Sequence, residues 1–120
     1  MNKEDYVSLE VAKLLKEKGY NEPVFSQYTK RGSVWICQEP ENFNESTGCF
    51  SRPTLYEAQK WLREKHNLFI EITYMHGNYY IYSILTIPTH DYIGLDCVRI
   101  NSDNYEQCLN AGIIEALKLI

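Results

Sequence analysis

The chain has no glycine-rich phosphate loop, no paired-carboxylate signature and no HExxH motif, so the commonest recognisable enzyme classes find no support in it. No apolar run approaches the ~20 residues of a membrane-spanning helix, and no membrane association is expected. Cys37, Cys49, Cys97 and Cys108 form no CxxC pair and have no histidine at ligand spacing, which argues against a zinc site or any metal cofactor. The start, Met-Asn-Lys-Glu-Asp, carries acids and lacks the basic start and apolar run of a signal peptide. A cytoplasmic location with reduced thiols is therefore expected. Blocks of like charge are also missing. The 12 basic and 16 acidic residues are interspersed and sum to −4, which gives no global pull toward nucleic acid or an anionic membrane.

What is present is an ordinary globular composition. With 120 residues, 44% of them hydrophobic and 23% charged, the expectation is one compact domain over residues 1–120. Ten tyrosines, four phenylalanines and two tryptophans stand out. A tyrosine offers a flat apolar face and a polar tip, which suits a core, an interface or a stacking site.

Leu9, Val11, Ala12, Leu14 and Leu15 form a helical stripe with Ser8 as N-cap, and Gly19 and Pro23 mark its end. The next segments, 24–28 and 34–37, read as strands joined by a glycine-containing hairpin loop. Thr54 and Glu57 have capping-box spacing, so a second helix starts there and ends near His66-Asn67, burying Leu55, Ala58, Leu62 and either Trp61 or Lys65. Gly77-Asn78 suits a two-residue hairpin turn between strands 68–75 and 79–87. That turn would pair His76 with Tyr79, Tyr74 with Ile81, Ile72 with Ser83 and Ile70 with Leu85. A last helix begins near Ser102 or Asp103, with Tyr105, Leu109, Ile113, Ala116, Leu117 and Ile120 as its stripe. Gly112 lies on that stripe and implies close packing against a neighbour. Segments 38–53 and 88–97 read as long loops. The predicted fold is α+β, in the order αββαββα, with one antiparallel sheet of about four strands and helices mainly on one face.

Residues 6–15 resemble superficially the first helix of a helix-turn-helix. No recognition helix follows, so sequence-specific DNA binding is not expected. His90-Asp91 is the one adjacent pair that offers a general base with an orienting carboxylate, and Cys49 offers a nucleophile, which together define a small-hydrolase alternative. The predicted register turns Phe69, Glu71, Thr73 and Met75 outward beside Tyr80, Tyr82, Ile84 and Thr86. Such a face would serve as a homo-oligomer interface or as a platform for a planar ligand. The candidate ligand-binding residues are Trp35, Arg52, Tyr80, Tyr82, His90, Tyr92 and Arg99. A phosphate would be met by Arg52, Arg99 and the helix N-termini near Thr54 and Ser102.

Through the segments Ser8 to Tyr20, Pro53 to His66 and Leu109 to Ile120, the chain resembles a group of small uncharacterised proteins of gut bacteria and their phages or prophages. The resemblance implies no particular activity, cofactor or site residue. It favours a small accessory protein that binds, blocks or sequesters something. The leading expectation is accordingly a non-catalytic module for a planar nucleotide-like ligand, with a protein adaptor or inhibitor as the alternative.

Overall fold

The computed structural model describes residues 2–95 and 104–120. It shows an α+β domain in which α1 (Leu9–Glu17), α2 (Leu55–His66) and α3 (Tyr105–Lys118) surround two antiparallel sheets of three strands each. The first sheet has the order β2-β1-β3, with β1 at Val24–Thr29, β2 at Val34–Glu41 and β3 at Cys49–Ser51. The second has the order β4-β5-β6, with β4 at Leu68–Met75, β5 at Tyr79–Thr86 and β6 at Tyr92–Leu95. A single four-stranded sheet is therefore replaced by two sheets. Each of the two expected loops contributes a short strand, β3 from 38–53 and β6 from 88–97.

The helix ends follow local chemistry. Ser8 Oγ accepts from Val11 N–H at 3.3 Å, and α1 closes in a Schellman arrangement, with Tyr20 N–H donating to Leu15 O at 2.9 Å and Gly19 N–H to Lys16 O at 3.2 Å. Gly19 takes the left-handed φ of +90° that this closure requires. At α2 both halves of the Thr54/Glu57 capping box are made, and Leu55, Ala58, Trp61 and Leu62 are buried. The helix α3 begins slightly later than expected, with Asn104 as its cap accepting from Gln107 N–H at 2.9 Å. The proposed caps Ser102 and Asp103 lie outside the described residues.

The hairpin β4–β5 forms, but its register differs by one residue from the expected one. Met75 pairs with Tyr79, Tyr74 with Tyr80, Ile72 with Tyr82 and Ile70 with Ile84. The loop holds three residues. Its turn is closed by Asn78 N–H to Met75 O at 3.2 Å, with positive φ at both Gly77 and Asn78. A slip of one residue exchanges the faces of a whole strand. Tyr80, Tyr82 and Ile84 consequently share a face with Ile70 and Ile72, and this is the face that α3 covers. The expected aromatic outer platform of Tyr80, Tyr82 and Ile84 is not formed, because the opposite face carries Tyr79, Ile81, Ser83 and Leu85 instead.

Gly112 explains how closely α3 sits. A Cβ at that position would lie 2.9 Å from Ile70 Cγ2 and 3.1 Å from Tyr82 Cγ. One continuous core results, in which Val11 and Leu15 of α1, Leu55 and Leu62 of α2, Ile70 and Ile84 of the second sheet and Leu109, Ile113 and Leu117 of α3 are all buried. Each such side chain contributes roughly 1.5–3 kcal/mol through removal from water.

Candidate binding cleft

The residues expected to form one site are dispersed. Trp35 lies on β2 and is 61% exposed. Tyr82 is buried beneath α3, and Tyr80 is half-buried, edge-on to Tyr74 and Tyr105 at 5.2 and 5.6 Å. His90 and Tyr92 are exposed and edge-on to each other at 5.6 Å, and Arg99 lies outside the described residues. The turn that carries His90 and Asp91 is tied to Thr86, whose backbone accepts from His90 N–H at 2.9 Å and donates to Asp91 O at 2.9 Å. Cys49 belongs to the other sheet, and its thiol donates to Phe43 O at 3.2 Å. The α2 N-terminus near Thr54 is occupied by its own capping box.

Arg52 stands apart from this dispersal. It follows β3 directly, its N–H donates to Ser26 O at 2.9 Å, and it is only 4% exposed. Its guanidinium lies over the Tyr6 ring at 4.0 Å and the Tyr28 ring at 5.4 Å, and Nη1 donates to Ser26 Oγ at 3.1 Å. Its Nε is buried without a hydrogen-bond partner, and among the described residues Arg52 makes no ion pair. A buried cation normally acquires a carboxylate, because removing it from water alone is costly. Here the electron-rich faces of two tyrosines offset part of that cost.

Those two tyrosines also line a cleft of about 570 Å³. Its other walls are Asn2, Lys3, Glu4, Val7 and Ser8 on one side, and Glu106, Gln107 and Asn110 from the first turns of α3 on the other. The sides are stitched together by Ser8 N–H to Asn110 Oδ1 and Asn110 Nδ2 to Ser8 Oγ, both at 3.1 Å. Tyr28 is anchored by its hydroxyl donating to Val7 O at 2.6 Å. Among the described residues the uncommitted side-chain donors at the cleft include the Asn2 amide, Lys3, the Tyr6 hydroxyl and the Gln107 amide.

Of the six expected ligand residues that are described, Arg52 alone adjoins this cleft, through the two rings it touches. Tyr6, Tyr28, Gln107 and Asn110 were not among those expected. Tyr28 had a legible signal, since Val24, Ser26 and Tyr28 alternate on one side of β1. Tyr6 had none, because only folding brings it beside Arg52. Among the described residues, no three His, Cys, Asp or Glu side chains come together as a metal site would require, and no helix is long and apolar enough to cross a membrane. The class defined by fold and site is a small α+β domain with an aromatic-walled cleft backed by a buried cation. No protein-family model, curated protein or solved structure matches the chain.

Proposed function

We propose that the protein is a non-catalytic binding module whose cleft takes a planar, nucleotide-like ligand. In the setting implied by the resemblance, it would act as a small phage or prophage accessory protein that sequesters this ligand. The observation that carries the reading is the Tyr6–Arg52–Tyr28 stack, in which a guanidinium with no ion-pair partner among the described residues lies against two rings that line a cleft. A base stacked on tyrosine gains roughly 1–3 kcal/mol. The buried positive charge behind the rings favours a ligand that brings negative charge, and Lys3 at the rim supplies a donor to a phosphate. Glu4 and Glu106 also line the cleft and oppose a multiply charged ligand. The reading therefore favours monophosphates, linear or cyclic, over triphosphates.

Calorimetry with both classes tests this. Monophosphates are expected to bind more tightly than triphosphates, and Lys3→Ala should weaken them about fivefold, the equivalent of one exposed charge contact. No binding at millimolar ligand rejects the nucleotide reading. Product formation during the titration rejects the non-catalytic one.

A further inference from the structure

The edge of the first sheet presents an apolar run to solvent. The strand β2 pairs with β1 on one side and with no described strand on the other. Along it Val34, Trp35 and Ile36 are 43%, 61% and 75% exposed, and Phe25 on the neighbouring strand is 54% exposed. An open strand with apolar side chains is a template for a further strand.

The hydrogen-bonding phase of this edge follows from the hairpin. Thr29 N–H donates to Ser33 O at 2.8 Å, and residues opposite each other in an antiparallel pair alternate between bonded and non-bonded. Gln27 opposite Trp35 is thus a bonded pair, which turns the Trp35 backbone inward. Tyr28–Val34 and Ser26–Ile36 are non-bonded, which turns the N–H and C=O of Val34 and Ile36 toward the open side. Charge is distributed along the same strand with opposite signs at its ends. Lys30 and Arg31 sit in the turn before it and Glu39 and Glu41 in its last residues, all exposed, and among the described residues none of the four is in an ion pair.

The geometry points to a second copy of this chain as the occupant of the edge, paired antiparallel through β2 about a two-fold axis at Trp35. That register sets each Val34 opposite the other copy's Ile36, matching outward-facing backbone groups, and makes Trp35–Trp35 a non-bonded pair with its side chains close. It also brings the turn of each copy, with Lys30 and Arg31, toward the far half of the other copy's β2, with Glu39 and Glu41, where the pairing with β1 shifts register between Ser26–Ile36 and Val24–Glu41. A parallel arrangement would bring like charges together, so the charge pattern selects the antiparallel dimer.

Sedimentation velocity up to roughly millimolar protein is the test, since an edge pairing lies at the small end of specific interfaces. Wild type should show a monomer–dimer equilibrium. Lys30→Glu/Arg31→Glu and Glu39→Lys/Glu41→Lys should each dimerise at least about tenfold more weakly, because like charges then meet at both ends. An equimolar mixture of the two variants should recover association close to wild type, now as a heterodimer. All four positions are exposed, so circular dichroism should stay unchanged. A wild type that remains monomeric overturns the proposal, and one that then pairs with an extended peptide assigns the edge to another protein's strand. Charge variants that associate as well as wild type, or a mixture that fails to recover, overturn it equally.

Discussion

Tyr20 illustrates how one buried side chain couples folding to pH. Its ring meets Trp61 edge-on at 5.3 Å, and its burial, with Glu57 and Glu22 nearby, pushes the phenol well above its ordinary value of 10.0. The neutral phenol is the form that the fold accepts. In the unfolded chain Tyr20 ionises near pH 10, while in the folded chain it holds its proton to higher pH, so its contribution is fully present below pH 10 and is lost as pH rises toward the folded value. The expected loss is about 1.4 kcal/mol per pH unit in that window. Tyr20→Phe keeps the contact with Trp61 and removes the titrating group. Urea unfolding between about pH 9 and pH 11 should therefore show a shallower alkaline decline for the variant, and identical slopes would dismiss this role.

At the scale of elements, the contact between α3 and the β4–β5 hairpin sets both packing and register. Gly112→Ala gains up to about 1 kcal/mol of helix propensity but forces a methyl group against Ile70 and Tyr82, which typically costs 1–3 kcal/mol. Net destabilisation is expected, visible as a lower urea midpoint with an unchanged slope. Elements with chemical end-signals were legible beforehand. The Ser8 and Thr54 caps, the Gly19 closure and the close approach at Gly112 each follow from a residue whose preference is local. The strands β3 and β6 were not legible, because Cys49–Ser51 and Tyr92–Leu95 are too short to show alternation and lie in polar surroundings. The hairpin was found in the right place with the wrong phase. A two-residue and a three-residue turn both accommodate Gly77-Asn78, and apolar residues occupy both faces of β5, so the pattern could not choose between them. The cleft was hidden for a different reason, since Tyr6, Tyr28 and Arg52 are separated in sequence and only the first sheet and the α2 entry bring them together.

Over the whole molecule, the two sheets do not behave as separate units, because α3 packs on β4 and β5 while also touching α1 and α2, and α1 in turn touches β3. A single core predicts a single transition. Fluorescence of a Trp35→Phe variant, which reports Trp61 on α2, and far-UV circular dichroism, which reports both sheets, should give coincident urea midpoints. Separated midpoints would mean that one sheet melts without the other.

The position of α3 in the chain also bears on how the protein is made. Ser8 and Asn110, which join α1 to α3, are 102 residues apart, and Lys18 Nζ donates to Ile120 O across the same interval. A ribosome therefore releases α1, both sheets and α2 before it releases the helix that covers Ile70, Ile84 and Leu62. Until then the nascent chain carries an open apolar floor that α3 closes, and closure waits on a long-range encounter rather than on local propensity. Such a chain completes its core only once α3 has emerged, and the interval in which a chaperone or a neighbouring nascent chain can occupy that floor runs from the emergence of β5 to the emergence of α3.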